Sequence, residues 1–280
     1  MKKIGFIDYE LDNWHANNYP QMIREASGGT YEVAYAWAYQ DRPGGMSNRE
    51  WAETFGAKLM NSPEEVIEAA DVLVVLAPND PQMHELLCQK PLASGKRTYV
   101  DKTFAPDKAS AERIFANAEA HGTPCFSTSA LRFSQELDTI DTDAIETIYS
   151  EGPGTVEIYS IHQIEPLVRL MKTRVTRLMA LAGSEHPSFV IEFEDGRRVQ
   201  MVQRDDPSWG FRMQIVDKDN AASIVNIESN YFDLFIKEMI RFFDTGIIPV
   251  PHEQTIDVCA IRATALEAVK RPFEWVEVNR

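Results

Sequence analysis

Polar side chains follow two apolar runs in the first half of the chain, and they are the first candidates for chemistry. Ala77, Pro78 and Asn79 come directly after DVLVVL, and Asp101 and Lys102 come directly after RTYV. If both runs are parallel strands, their carboxyl ends meet at the sheet edge where open α/β sheets bind ligands. A lysine at such an edge can donate to ligand oxygens, and burial can lower its pKa enough for proton transfer. The alternative for Lys102 is a solvated surface lysine.

Histidines are the second group of candidates, because an imidazole exchanges protons near neutral pH. His162 is predicted at the start of a short helix, IHQIEPLVRLM, with Glu165 three residues later on the same face. Glu165 can orient the ring or cap the helix, and we favour a structural role for it. His15 and His84 are each open to two interpretations, the lining of a ligand crevice or packing in the core.

The opening stretch IGFIDYELDNWH predicts a strand, a turn and a helix, which is where a dinucleotide-binding fold keeps its G-x-G-x-x-G loop. Asp8, Glu10 and Asn13 stand at the three glycine positions. Side chains there narrow the approach to a pyrophosphate, and the Asp8 and Glu10 carboxylates would repel it. Asn13 can cap the helix or donate to a ligand oxygen. The acidic cluster with Asp12 lacks metal-ligand spacing, so no metal site is predicted.

A further pair of candidates ends the second predicted strand, in AYAWAYQDRP. Asp41 can accept from a ribose hydroxyl, and Arg42 can meet a 2′-phosphate. Both residues can equally be solvated turn residues. The choice between NAD and NADP therefore stays open.

Short β-rich runs alternate with helical runs over the first half of the chain. Strands are predicted at KKIGFID, YEVAYAWAY, DVLVVLAP, RTYVDK and TPCFSTS, and helices at NNYPQMIREAS, NREWAETFGA, PQMHELLCQKPLASG and PDKASAERIFANAEAHG. This alternation is typical of βαβ units and a parallel, doubly wound sheet. We therefore predict a Rossmann-like domain over residues 1–125.

The second half, residues 126–280, is predicted as an α+β domain around a mostly antiparallel sheet. Strands are predicted at TDAIETIYSEG, VTRLMALAG, PSFVIEFEDG, RRVQMVQRD, FRMQIVDKD, AASIVNIES and FEWVEV, and two helices at YFDLFIKEMIRFFDTG and QTIDVCAIRATALEAVKR. The EDGRR turn predicts a hairpin. The last helices can pack back on the first domain.

Composition limits the partners of this chain. Its 280 residues carry a formal net charge of −15, which argues against binding to nucleic acid or to anionic membranes. No apolar run reaches transmembrane length or forms a signal peptide, so a cytoplasmic location is expected. Cys88, Cys125 and Cys259 are far apart among apolar neighbours, and we expect buried free thiols.

With these pieces in order, the chain resembles the Gfo/Idh/MocA family of NAD(P)-dependent oxidoreductases, which act mainly on sugars, polyols and related compounds. The resemblance is clearest in APNDPQMHELLCQKPLASGKRTYVDKTFAPDKASAERIFANAEAHG, which is similar to the family's run of T-P-N, histidine, A-G-K-H-V and E-K-P. TSALRF resembles the family's crossover into the second domain, and YFDLFIKEMIRFFDTGIIPVP its closing segment. The resemblance covers most of the chain and is strong over residues 52–133.

The resemblance assigns roles to individual residues. It makes Lys102 the lysine of E-K-P, which contacts substrate and nicotinamide ribose, with Asp101 in place of the glutamate and Thr103 in place of the proline. Asn79, with the two residues before it, matches the T-P-N loop along the cofactor, and His84 matches the histidine of the next helix. His162 matches the family's acid or base, and Ile158 stands where an aspartate is common.

The favoured interpretation is an NAD(P)-dependent oxidoreductase that acts on a hydroxyl or carbonyl of a sugar, polyol or related small molecule. Lys102 would polarise the substrate oxygen and His162 would exchange its proton. The first alternative is a non-catalytic or regulatory protein that binds a sugar-like or nucleotide ligand in the same cleft. The second is a lyase, a hydratase or an enzyme with a displaced cofactor. A homodimer or homotetramer is expected, because RRVQMVQ and FRMQIV leave one sheet face to cover.

Overall fold

The computed structural model describes residues 1–181 and 186–278 and divides into two compact units. The first unit comprises Met1–Thr128 and Asp233–His252, and the second comprises Ser129–Phe232 and Glu253–Arg280. Each unit has its own sheet. The positions of the candidate residues are therefore described unit by unit.

The first unit is built on a six-stranded parallel sheet with the order β3-β2-β1-β4-β5-β6. This confirms the predicted doubly wound fold. Its elements are β1 (Lys2–Asp8), α1 (Trp14–Ala26), β2 (Tyr31–Ala38), α2 (Asn48–Phe55), β3 (Lys58–Leu59), α3 (Pro63–Ala69), β4 (Val72–Val75), α4 (Pro81–Leu92), β5 (Thr98–Val100), α5 (Lys108–Ala120) and β6 (Cys125–Phe126). Residues 233–252 add most of α7 (Tyr231–Thr245).

Strands β1 and β4 form the centre of this sheet, and their apolar runs reflect burial on both faces. Gly5 of β1 faces helix α3. The sequence patterns did not predict this helix. A Cβ atom at Gly5 would lie 2.4 Å from Cγ1 of Val66, so the glycine allows α3 to pack closely on the sheet. This contact supports the strand that leads into the opening loop.

The second unit has a seven-stranded sheet with the order β12-β11-β7-β10-β9-β8-β13, and only the β7–β10 pair is parallel among the described strands. The prediction of a mostly antiparallel sheet is confirmed. Its elements are β7 (Ile145–Pro153), α6 (Val156–Met171), β8 (Val175–Leu181), β9 (Ser188–Phe193), β10 (Arg198–Arg204), β11 (Arg212–Asp217), β12 (Ala222–Asn226), α8 (His252–Ala268) and β13 (Trp275–Glu277).

The hairpin predicted at EDGRR is confirmed, and it joins β9 to β10. Gly196 adopts a left-handed conformation there (φ 86°), which favours glycine. Ala182 and Gly183, at the end of the predicted strand VTRLMALAG, lie outside the described residues. One face of the sheet packs against α6 and α8 in a single apolar core.

The start of helix α6 corrects one prediction. The sequence pattern placed His162 at the start of a short helix, but α6 begins at Val156 and the Thr155 side chain caps it. The residues before Ile161 read VEIYS, and their β-branched and aromatic side chains are typical of a strand, so they do not mark a helix start. His162 therefore lies inside the helix, where its backbone is fixed by regular helical bonding.

Cys88, Cys125 and Cys259 are buried, as predicted. Among the described residues, no helix combines the length and the apolar character needed to cross a membrane. Nor do residues 1–181 and 186–278 hold a group of three or more side chains suited to binding a metal ion.

Candidate functional site

Lys102 lies immediately beyond β5 in the first unit and is only 7% exposed, so it is not a solvated surface lysine. Its Nζ donates a hydrogen bond to the Pro78 carbonyl oxygen at 3.1 Å. The parallel pairing of β4 with β5 produces this contact, because both strands end at the same sheet edge. The structure thus brings Lys102 together with the loop that contains Ala77, Pro78 and Asn79. Asn79 is exposed at this edge.

His84 of α4 holds the backbone that follows Lys102. Its Nδ1 donates to the carbonyl oxygens of Thr103 at 2.8 Å and Phe104 at 3.1 Å, and its Nε2 is buried without a hydrogen-bond partner among the described atoms. Burial lowers the pKa of His84 to about 4, so the ring is neutral near pH 7. His84 therefore positions the segment that carries Lys102. The peptide bond between Lys102 and Thr103 is cis.

Asp101 is a buried carboxylate beside Lys102. Its Oδ2 pairs with Nδ1 of His15 from the first turn of α1, and its Oδ1 accepts the Tyr99 hydroxyl at 3.0 Å. The His15 ring stacks on Tyr19, with centroids 5.0 Å apart. Burial raises the pKa of Asp101, but the electrostatic interaction and hydrogen bond with His15, and then the charge of Lys102, outweigh it, and the net shift is downward. A carboxylate is thus kept ionised at the sheet edge.

The opening loop folds around its own side chains. Asp8 is fully buried, and it accepts the Tyr9 backbone N–H at 2.7 Å and the Asn13 side-chain amide at 2.8 Å. Asn13 in turn caps α1 by accepting the Ala16 N–H at 3.0 Å. Burial, opposed by these hydrogen bonds, raises the pKa of Asp8 well above its ordinary value. Asp8 and Asn13, the two residues of this loop that were predicted to contact the cofactor, therefore hydrogen-bond to each other.

Asp41 and Arg42 lie on the surface between β2 and α2. The Asp41 carboxylate accepts the Asn48 backbone N–H at 2.7 Å. Arg42 donates to the Asp12 carbonyl oxygen, and its guanidinium lies 3.8 Å from the Glu10 carboxylate. The polar atoms of both residues thus tie the loop after β2 to its surroundings, with Arg42 reaching the opening loop.

His162 in the second unit is held from several sides. Its Nδ1 lies 2.7 Å from the hydroxyl oxygen of Ser129, and its ring meets Tyr159 and Phe211 edge-on at 5.3 and 5.9 Å between centroids. Ile158, one turn earlier on α6, is 37% exposed and supplies no polar group. Ser129 is thus a hydrogen-bonding neighbour of the His162 ring.

Glu165, which lies on α6 with His162, holds Ser129 in place. Its carboxylate accepts the Ser129 backbone N–H at 3.2 Å and pairs with the buried guanidinium of Arg132 at 3.1 Å. The sequence analysis did not single out Ser129 or Arg132. Their only signal was the segment TSALRF, because serine and arginine have no recognisable spacing from a histidine thirty-odd residues away.

Each unit contains one polar group that can act on a ligand. In the first unit, an ammonium and an exposed amide stand at the edge of a parallel sheet. In the second unit, an imidazole is held by a serine hydroxyl and two aromatic rings. An ammonium can stabilise a developing negative charge on oxygen, and an imidazole can exchange a proton.

Solved structures with the same fold span essentially the whole chain. The myo-inositol dehydrogenase from Lactobacillus casei, in complex with NAD(H) and myo-inositol, matches with a TM-score of 0.82 at 13% identity, over 100% of this chain and 97% of that chain. GenD2 from gentamicin A biosynthesis, in complex with NAD, matches with a TM-score of 0.80 at 12% identity, over 100% and 97%.

The apo scyllo-inositol dehydrogenase from Lactobacillus casei gives a TM-score of 0.79 at 13% identity, over 99% of this chain and 98% of that chain. No protein-family model matches the sequence, and no curated protein matches it. At these identities the similarity establishes the fold, and this chain shares it with sugar and polyol dehydrogenases.

Proposed function

We propose that this chain is an NAD(P)-dependent oxidoreductase of the Gfo/Idh/MocA type, acting on a hydroxyl or carbonyl of a sugar, polyol or related small molecule. The observation that carries the proposal is the nearly buried Lys102 ammonium at the carboxyl end of β5, hydrogen-bonded to the Pro78 loop. The fold is shared by a myo-inositol dehydrogenase solved with NAD(H) and by GenD2, solved with NAD. A cation at this edge of a parallel sheet can stabilise negative charge on a ligand oxygen.

The donors at this edge fit the nicotinamide half of such a cofactor. An ammonium has three N–H donors, and the Lys102 ammonium that contacts the Pro78 carbonyl oxygen is the group that would donate to a ribose or substrate oxygen. Asn79 offers an exposed amide beside it. When bound, the nicotinamide supplies the hydride acceptor or donor. NAD and NADP differ at the ribose that Asp41 and Arg42 would contact. Titrations with NADH and with NADPH distinguish the two cofactors.

Lys102 and His162 carry the acid–base roles in this proposal. Lys102 donates to the substrate oxygen and stabilises the negative charge that develops on it. His162, whose Nδ1 lies against the Ser129 hydroxyl, exchanges the hydroxyl proton. His84 and Asp101 hold the segment that carries Lys102 and are positioning residues.

The test is a titration of the purified protein with NADH and with NADPH, followed by cofactor fluorescence and thermal shift. Mass spectrometry first checks for a nucleotide that co-purifies. Lys102→Met should weaken binding and abolish turnover of sugars and polyols, whereas Lys90→Met removes an exposed lysine of α4 and should change neither. Absence of binding at millimolar concentrations, with no co-purifying nucleotide, would refute the proposal.

A second candidate function is a regulatory protein that binds a sugar-like or nucleotide ligand without hydride transfer. The filled opening loop, in which Asp8 binds Asn13, favours it. Saturable binding of sugars or polyols in a protein that binds neither NADH nor NADPH would select this function.

We also propose that the protein is a homodimer or homotetramer that pairs through the sheet of the second unit. Tyr149 of β7 and Ile224 of β12 are exposed on that sheet and line one shallow cavity of about 340 Å³ with Val202. Apolar side chains on an open sheet face favour coverage by another chain. Analytical ultracentrifugation of the wild type and of Ile224→Lys tests the proposal, since a dimer through this face should dissociate.

A further inference from the structure

The opening loop carries its own carboxyl group, that of Asp8, at the place where dinucleotide-binding loops present backbone N–H groups to a pyrophosphate. The Tyr9 N–H donates to Oδ1 of Asp8 at 2.7 Å. The Leu11 N–H donates to the Asn48 side-chain oxygen at 3.2 Å. Two backbone donors after β1 are therefore used by side chains of the chain itself.

Asp8 is locked in this position by its neighbours. Its Oδ2 accepts the Asn13 amide at 2.8 Å, and the same amide donates to the Glu10 carbonyl oxygen at 2.7 Å. The ladder between β1 and β2 also continues past the end of both strands, because the Tyr39 N–H donates to the Asp8 carbonyl oxygen and the Gln40 N–H donates to the Tyr9 carbonyl oxygen, each at 3.0 Å. The carboxylate is thus part of the folded loop.

The outer side of the loop is closed by a second carboxylate. Asp12 accepts the Met46 N–H at 2.9 Å and the Asn17 amide at 3.0 Å. A Cβ atom at Gly45 would lie 2.4 Å from Oδ2 of Asp12, so the loop after β2 lies directly against this side chain. A phosphate would have to displace carboxylates on both sides of the turn.

We propose that the Asp8 carboxylate occupies the phosphate position of this loop, so that the protein recognises the nicotinamide mononucleotide half of its cofactor and gains little from the pyrophosphate and adenosine. The identity of the cofactor in this proposal rests on the proposed function. The role of Asp8 rests only on the hydrogen bonds of the opening loop. The cofactor class it predicts is a nicotinamide nucleotide held chiefly at the Lys102 edge.

Calorimetric titrations with NADH, reduced nicotinamide mononucleotide and ADP-ribose test the proposal on the wild-type protein. NADH and the mononucleotide should bind with dissociation constants within about threefold of each other, and ADP-ribose should not saturate at millimolar concentrations. Binding of NADH at least about tenfold tighter than the mononucleotide, or saturable ADP-ribose binding, would overturn the inference and leave the proposed function standing.

Asp8→Gly is the decisive variant, because it frees the backbone donors of the loop. ADP-ribose and NADH should bind Asp8→Gly at least about tenfold more tightly than the wild type, while the mononucleotide should not change. Asp8→Asn keeps an acceptor of the same shape, so it should not bind ADP-ribose or NADH more tightly than the wild type. A gain in affinity equal to that of Asp8→Gly would mean that Asp8 acts by charge repulsion alone, and it would overturn the proposal that its side chain fills the phosphate position. Glu25→Gln, which removes an exposed carboxylate near the other end of α1, is the matched control.

The two proposals fail in different ways. If the wild type binds neither NADH nor the mononucleotide, the proposed function fails. A gain of ADP-ribose binding in Asp8→Gly would then still support the filled loop, and no gain would overturn it. If Asp8→Gly does not fold, as judged by its circular dichroism, the three titrations on the wild-type protein decide alone.

Discussion

His84 predicts a specific pH dependence of stability in the first unit. Its pKa is lowered to about 4 in the folded protein by burial, against an ordinary value of 6.5. As the pH falls below 6.5, the unfolded chain binds a proton at His84 and the folded chain does not. The free energy of unfolding therefore decreases on acidification, and this loss is complete only near pH 4.

The magnitude follows from these two pKa values. Between about pH 7.5 and about pH 5.5, His84 alone should lower the free energy of unfolding by about 1.3 kcal/mol. This range stays clear of the more acidic region where the net charge of the chain approaches zero and precipitation interferes. The result is insensitive to the folded pKa, because a value about one unit higher still gives about 1.2 kcal/mol.

His84→Asn isolates the effect, since the asparagine amide can replace Nδ1 as a donor and does not titrate. Urea unfolding is followed by tryptophan fluorescence in a background with Trp209→Phe and Trp275→Phe. The three remaining tryptophans, Trp14, Trp37 and Trp51, all lie in the first unit and report its unfolding. The difference in unfolding free energy between the two proteins should change by about 1.3 kcal/mol between the two pH values. A constant difference would show that His84 is not neutral in the folded state.

Three further predictions concern other parts of the chain. Ser129→Ala should lower kcat about tenfold and move the acidic limb of the kcat/KM pH profile, because His162 loses the hydroxyl at its Nδ1; an unchanged profile would contradict this. Gly5→Ala should cost about 1–3 kcal/mol in urea unfolding, because the new methyl group meets α3. Arg132→Met should cost about 3–5 kcal/mol, because Glu165 stays buried without this cation, and Arg132→Met with Glu165→Leu should recover much of it.

The sheets of both units could be predicted from sequence because their signals are local. The continuous apolar run of β4 and the alternation in β9 and β10 depend only on which faces are buried. The hairpin turn needed a glycine at a positive φ, and EDGRR supplies it at Gly196. Local burial and backbone conformation were therefore sufficient for the architecture.

The candidate site was less predictable, because its contacts join residues that are distant in the chain. Lys102 could be singled out by its position after a strand, but its contact with Pro78 depends on strand order. The contact of Ser129 with His162 depends on packing against α6, whose first turn contains β-branched and aromatic residues that are typical of a strand. The periodicity of the sequence thus predicts where a strand such as β5 ends, but it does not predict which side chains contact each other.

The missing glycines of the opening loop have a physical explanation in the same terms. Backbone N–H groups at the end of β1 must be satisfied in any version of this fold, because unpaired donors are costly. A glycine-rich loop leaves that task to the phosphates of its ligand. Here the Asp8 carboxylate and the Asn48 side chain perform it, so the loop is complete without a ligand. The fold of the first unit should then gain less thermal stability from NADH than a glycine-rich relative does, and a large shift in Tm on NADH binding that Asp8→Gly fails to increase would contradict this account.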